Sequence, residues 1–281
     1  MKQSISCNLV GGLGNQFFQI ATSLAYSYYH NIQAIFEKKQ DIPCIFSPKP
    51  SYWDSYFHQI KTTNKPLTET IYQEPYFHYT TLPKFKINIL LNGYFQSYKY
   101  FDFYKTKILK TLKLPQDIIK KTHQKYNIET WKTTKPIAIH IRRGDYLKLK
   151  NHHTVLSETT YYQKAIQQFP ANSTFIVFSD DIEWCKKNIK LITTPFQYKI
   201  FPYLKNKIHQ RRNFIFYEDS DIVELYLMSQ CYHHIIANSS FSWWGAYLSP
   251  NKGKVIAPKK WFGKKIKHST KDLLLPTWTQ L

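Results

Sequence analysis

Acidic residues are in short supply: 18 Asp and Glu stand against 39 Lys and Arg, for a net charge of +21 over 281 residues. Such an excess suits an anionic partner, whether nucleic acid, an anionic membrane surface or a phosphorylated small molecule. No basic helix or nucleic-acid motif accompanies it. Lysines such as Lys38, Lys39, Lys120, Lys121, Lys186 and Lys187 are scattered rather than gathered in one block, so nucleic acid is not expected as a partner. Cysteine is also sparse. Cys7, Cys44, Cys185 and Cys231 form no C-x-x-C pair, which argues against a zinc ribbon. Cys7 and Cys231 lie in apolar runs and read as small core residues, in keeping with a reducing compartment. No stretch approaches the ~18 apolar residues of a membrane span. The opening "MKQSISCNLVGG" reads as a strand, too short and too polar for a signal peptide. A cytoplasmic protein is expected, with peripheral contact at an anionic membrane as one use for the positive charge. No repeat and no low-complexity tract interrupts the chain.

Hydrophobic residues make up 43% of the chain, and apolar segments alternate with polar ones, which marks a globular protein. "SISCNLV" (4–10) reads as a buried strand, followed by a glycine turn, a helix from Phe17 to His30 and a strand "IQAIF" (32–36). Residues 40–100 carry Pro43, Pro48, Pro50, Pro66, Pro75 and Pro83, which forbid long helices and predict loops and short strands. Helices are expected at 101–111 and 115–127. From residue 136 strands and helices alternate cleanly: "PIAIHI", "STFIVFS", "NFIFY", "HHIIAN" and finally "GKVIAP" as strands, with helical segments between them. That is the pattern of a parallel sheet with crossover helices. The chain divides near residue 130 into two α/β halves, 1–130 and 131–281.

Four constellations carry chemistry. "GGLGNQFFQ" (11–19) sets glycines between the first strand and helix, although the dinucleotide fingerprint fails because Phe17 stands where its last glycine would be. Gly12 and Gly14 would still let a ligand approach the backbone closely, and Asn15 and Gln16 would point amides at it; a tight turn alone is the other reading. "HIRRGDY" places His140, Arg142 and Arg143 at the end of a buried strand, where open α/β sheets bind ligands. Two arginines form a fork suited to a diphosphate, with Asp145 to hold one of them. "IIANSSFSWWGAYL" ends a strand at Asn238 and starts a helix at Ser239 and Ser240, a ready anion site. Trp243 and Trp244 follow one turn in, with Trp244 expected in the core. "FSDD" and "YEDSDIVE" collect acids at helix starts, as the helix dipole favours. Asp219-Ser220-Asp221 imitates a metal motif, but Glu224 or Asp180 could equally accept hydrogen bonds from a guanine edge. A diphosphate clamp in one half, and aromatics (Tyr52, Trp53, Tyr56, Phe57, Tyr76, Phe77, Tyr79) in the other, suggest a nucleotide-sugar transferase. The aromatics would form a carbohydrate-stacking surface, with the substrate cleft between the halves.

The stretches "GGLGNQFFQ", "GYFQSYKYF", "HIRRGDY", "HTVLSETTYY", "FSDD" and "ELYLMSQCYHHIIANSSFSWWGAYL" occur in the order found in the α-1,2-fucosyltransferases of glycosyltransferase family 11, which the chain resembles over nearly its whole length. The resemblance implies a GT-B fold of two Rossmann-like domains with a cleft between them. It implies inverting transfer of fucose from GDP-fucose to the 2-hydroxyl of galactose on a glycan, with no metal or other cofactor. It places Arg142 on the β-phosphate, His140 on the nucleotide, Glu224 (where many relatives carry aspartate) on the guanine, and Ser239 and Ser240 on the phosphate side. The glutamate that the α-1,6 enzymes place beyond this arginine motif is missing: Lys148, Leu149 and Lys150 stand there instead. Three routes for the acceptor proton remain open: Asp145, His153, or no strong base, with a β-phosphate oxygen or Asn15 guiding the hydroxyl. Another GDP-sugar or acceptor, or a non-catalytic galactoside binder, is the alternative reading.

Overall fold

The computed structural model describes residues 3–65, 70–194 and 212–281; Pro66 lies outside them. The chain separates into two compact units, residues 1–121 with 268–275 and residues 122–267 with 276–281. The division thus falls inside the helix Gln116–Tyr126 rather than near residue 130, and a short C-terminal stretch returns to the first unit.

In the first unit four strands run parallel in the order Gln33–Ala34, Ser4–Cys7, Ile89–Asn92, Thr70–Gln73. The helix Leu13–His30 begins earlier than the sequence pattern predicts. Gly11, at φ +80, turns the chain, and a Cβ there would lie 2.2 Å from Asn15 Nδ2. Gly12 then caps the helix with no crowding of its own, while Gly14 and Asn15 fall in the first turn. Gln16 and Gln19 on this helix tie down the loops: Gln16 donates to the carbonyls of Gly11 and Pro50 at 3.0 and 3.1 Å, and Gln19 accepts from Val10 N–H at 3.1 Å. Asn31, in the left-handed region at φ 52, ends the helix.

The expected aromatic stacking surface needs correction. Tyr52, Trp53, Tyr56 and Phe57 are buried. Phe17 meets Tyr56 and Phe57 edge-on at 5.0 and 5.2 Å, and Trp53 packs on Phe57 and Phe36. These rings build the core beneath a Pro-rich segment that forms few long elements of its own. Of the seven, Tyr76 is the one that is exposed.

The second unit holds six parallel strands in the order Asn213–Phe216, Thr174–Ser179, Ile137–Ile141, His233–Ile235, Val255–Ala257, Thr279–Gln280. Numbered along this half, that order is 3-2-1-4-5-6, the doubly wound arrangement. The sixth strand follows "GKVIAP", which the sequence pattern makes the last; Thr279–Gln280 is too short to show periodicity. Ile137–Ile141 is buried along its whole length, as a central strand covered on both faces must be. The helices Tyr161–Ile166 and Ile182–Thr193 cover one face, with Tyr162, Ala165, Cys185 and Ile189 in the core. Leu227, Met228 and Cys231 pack on Ala138, Ile176 and Phe178 from the other. Among the described residues no helix is long and apolar enough to cross a membrane.

Candidate functional site

Between strands 1 and 4 of a 3-2-1-4-5-6 sheet the winding reverses, and a crevice opens beyond their carboxyl ends. Here those strands are Ile137–Ile141 and His233–Ile235, paired in register Ile139 to Ile235. Arg142, Arg143 and Gly144 leave the first of them; Ala237, Asn238 and Ser239 follow the second. Both motifs picked out in the sequence therefore meet at one place in the sheet.

Arg142 is held there by two carboxylates: its guanidinium reaches Asp145 Oδ1 at 2.7 Å and Asp180 Oδ2 at 3.1 Å. Asp180 is the hub. Strand register sets Ser179 beside Ile141, so the next residue faces the arginine turn. Its Oδ1 accepts from Arg143 N–H at 2.9 Å. Its Oδ2 occupies the space of a missing Cβ, which at Gly144 would lie 2.3 Å away. Gly144→Ala should therefore displace Asp180 and loosen Arg142. A fall in thermal midpoint is expected, and a melt identical to that of wild type would contradict it.

The expected fork of two arginines is not built, because adjacent residues at a strand end turn to different sides. Arg143 is buried; its Nε donates to Asp181 at 3.0 Å, its Nη1 to Ser157 Oγ at 3.0 Å, and its guanidinium lies 3.5 Å over the Trp184 ring. It braces the loop to the helix Ile182–Thr193, while Arg142 lies 5.4 Å from the Tyr146 ring. Asp145 is Arg142's anchor. The His153 ring stacks on Tyr146 at 4.0 Å, and burial, ahead of Arg142, pushes its pKa down. Burial also drives the Tyr146 phenol well above its ordinary range, and its hydroxyl donates to Asn238 O at 2.8 Å.

His140 is buried, and burial, helped by Arg142, pushes it down to about 3. It is neutral across the physiological range, and its Nδ1 meets no hydrogen-bond partner among the described residues. Asn238 donates its amide to Thr154 O and Trp261 O at 3.0 and 2.7 Å, while its buried Oδ1 meets no hydrogen-bond partner among the described residues. Ser239 caps the helix Ser240–Tyr247, accepting from Phe241 N–H at 3.3 Å, and Ser240 opens its first turn. Trp243 and Trp244 are both fully buried and belong to the core.

Glu224 sits on the helix Asp221–Gln230, and burial pushes its carboxyl up to about 7. The metal-like Asp219-Ser220-Asp221 resolves into a helix start. Asp219 Oδ2 takes Lys125 Nζ and Tyr126 OH at 2.7 Å each, and Ser220 Oγ caps Val223 N–H. Among the described residues no group of three or more His, Cys, Asp or Glu could hold a metal ion.

Asn15 belongs to the first unit, where its Oδ1 accepts from Gln96 at 2.8 Å. Sequence reasoning passed over one group in that unit, Glu74. Its carboxyl is pushed up to about 7, mainly by burial, while accepting the N–H groups of Tyr94 and Phe95. Its partners lie far along the chain, so no local motif marks it.

A sequence model described as Glycosyl transferase family 11 matches residues 1–281. An Escherichia coli alpha-1,2-colitosyltransferase is 30% identical over 293 aligned positions, covering 92% of each chain. A Bos taurus galactoside 2-alpha-L-fucosyltransferase is 24% identical over 86% of this chain and 63% of its own length. Among solved structures, the fucosyltransferase NodZ from Bradyrhizobium superposes with a TM-score of 0.56 at 10% identity, over 89% of this chain and 95% of that one. NodZ alpha-1,6-fucosyltransferase co-crystallized with GDP gives 0.54 at 11%, over 89% and 94%. At that identity the likeness concerns the fold, and it bears out the expected α/β architecture of GT-B type.

Proposed function

The chain belongs to glycosyltransferase family 11, and we propose that it transfers fucose from GDP-fucose to the 2-hydroxyl of a galactose-terminated glycan, with inversion. The carrying observation is the reversal point of the second sheet, where Arg142, pinned by Asp145 and Asp180, lies 5.4 Å from the ring of Tyr146, whose hydroxyl donates to Asn238 O just before the helix start at Ser239 and Ser240. In this reading Arg142 and the first turn of the helix Ser240–Tyr247 receive the charge that grows on the β-phosphate as the bond to fucose breaks. Preorganised donors aimed at developing charge are the largest single contribution in such sites. Neutral His140 offers Nδ1 to the nucleotide, and Asn238 Oδ1 takes a donor from it. Gly12, Gly14 and Asn15 lie in the other unit and are left to the acceptor side.

Glu224 is assigned to the guanine, whose two N–H donors match one carboxylate. With its folded pKa near 7, the group must ionise to accept both. GDP affinity should rise up to about tenfold per pH unit below that value and level off above it. In Glu224→Gln the slope should vanish; calorimetry at several pH values that finds it unchanged would remove Glu224 from the base. Stability carries the opposite sign. The carboxyl rises from an ordinary value of 4.5 to about 7, so between these the folded state holds a proton that the unfolded chain has lost. Stability falls as pH rises through that window, and Glu224→Gln should unfold at a higher temperature than the parent at pH 8 but not at pH 4.

A colitosyl donor is the second reading, favoured by the 30% identity with the Escherichia coli alpha-1,2-colitosyltransferase. Supplying GDP-fucose and GDP-colitose side by side, with lactose as acceptor, separates the two.

A further inference from the structure

Between Glu224 and Asp272 the sequence contains no acidic residue but eight lysines. Five of them, Lys259, Lys260, Lys264, Lys265 and Lys267, lie in the loop that follows the strand Val255–Ala257, and all five are exposed. That loop pairs with residues 151–154, which follow the arginine turn. His153 and Phe262 form an antiparallel bridge. Gly263 N–H donates to His152 O and Lys265 N–H to Asn151 O, both at 2.8 Å, and Thr154 Oγ1 donates to Phe262 O at 2.9 Å. The two segments approach so closely that only glycine fits at 263, where a Cβ would lie 2.5 Å from Asn151 O. Lys148, also exposed, lies just before this ribbon, and its N–H donates to Asp145 O at 3.1 Å.

The ribbon is fastened to the reversal point of the second sheet. Asn238 Nδ2 holds a carbonyl from each of its segments, Thr154 O and Trp261 O. The His153 ring stacks on Tyr146, whose ring centre lies 5.4 Å from the Arg142 guanidinium. Acids near the ribbon are already committed, Asp145 to Arg142 and Glu158 to Lys150. Among the described residues none of Lys148, Lys259, Lys260, Lys264, Lys265 and Lys267 forms an ion pair. Positive charge from two separate stretches of chain is thus gathered, unneutralised, on one backbone-fixed surface.

We propose that this ribbon is a collecting surface for an anionic nucleotide: its lysines raise the rate at which a nucleoside diphosphate or its sugar ester arrives at Arg142, without touching the reacting atoms. The proposal rests on the donor reading of the reversal point. Charges of one sign around a binding crevice concentrate the opposite ion and raise association rates by about 10–10³-fold. Their reach is the Debye length, about 30 Å at 0.01 M salt and about 8 Å at 0.15 M, so the gain must fade as salt is added. Lysine suits the task, because a strongly hydrated point charge on a flexible stem attracts an anion without gripping it in a fixed fork. Capture is therefore accelerated more than release is slowed. No large exposed apolar side chain lies between residues 259 and 267, which favours a soluble anion over a lipid surface.

The alternative is that these lysines are merely a solvated face. The test is stopped-flow mixing with N-methylanthraniloyl-GDP, a fluorescent nucleotide, over about 0.01–0.15 M NaCl. Wild type is compared with a triple variant, Lys260→Gln with Lys264→Gln and Lys265→Gln. A control triple, Lys190→Gln with Lys252→Gln and Lys254→Gln, removes the same charge from the amino end of the same sheet: Lys190 lies in the last turn of the helix Ile182–Thr193, and the other two lie just before the strand Val255–Ala257. At the lowest salt the ribbon variant should associate about tenfold more slowly than wild type, with its dissociation rate and thermal midpoint kept and its salt dependence flattened. The control should stay close to wild type. A ribbon variant with the association rate and salt dependence of wild type would overturn the proposal. So would an equal loss in the control, which would make net charge alone responsible. Either result leaves the donor reading standing; a wild-type protein that does not bind the probe at all would overturn both.

Discussion

Arg142→Ala should lower turnover about 10²–10³-fold, equivalent to roughly 2.7–4 kcal/mol of barrier, while the protein stays folded. The expectation follows from what each arginine of "HIRRGD" touches. Arg143 lies over Trp184 and answers Asp181 and Ser157, so its loss should appear mainly as lost stability. Arg142 reaches two carboxylates and lies over the Tyr146 ring at the mouth of the sheet's reversal point, and a leaving diphosphate would add a third anion to its fork. Arg142→Lys keeps the charge without the planar pair of donors and should fall between wild type and alanine. Initial rates of GDP formation with acceptor present, beside a thermal melt of each variant, check this. A folded Arg142→Ala protein with wild-type rates would place the phosphate elsewhere.

Trp243→Ala should cost about 3–5 kcal/mol of folding stability. Trp243 has no exposed surface and touches the rings of Tyr247, Trp244 and Trp278 at centroid distances of 4.8, 5.1 and 5.5 Å. Removing it opens a cavity under the helix whose first turn forms the proposed phosphate site. Ser239→Ala, by comparison, removes one cap and should cost about 1 kcal/mol. Urea unfolding of the two variants measures the contrast. A Trp243→Ala protein as stable as Ser239→Ala would mean that the indole faces a ligand rather than the core.

These two residues show where the sequence could be read and where it could not. Among the described residues of the second half each strand but Thr279–Gln280 lies in a short apolar run, so the alternation of the fold is visible in one dimension. The positions of "HIRRGD" and "NSSFSWW" at strand ends then follow from topology alone. What stays hidden depends on which way a side chain turns or on what arrives from far along the chain. Arg142 and Arg143 are neighbours in sequence but not in company. Asp180 becomes the hub because the register sets Ser179 against Ile141, which no local pattern encodes. Between residues 40 and 100 the prolines break any periodicity, so Tyr52, Trp53, Tyr56 and Phe57 carry no mark of facing inward. Glu74 draws its meaning from Gly93, Tyr94 and Phe95, a pairing made only when two parallel strands meet.

The most direct measurement is to incubate the protein with GDP-fucose and lactose and analyse both products. The account predicts GDP together with a trisaccharide carrying fucose on O2 of the galactose, formed by wild type and about 10²–10³-fold more slowly by Arg142→Ala. Intact GDP-fucose, with no GDP binding detected by calorimetry, would contradict it.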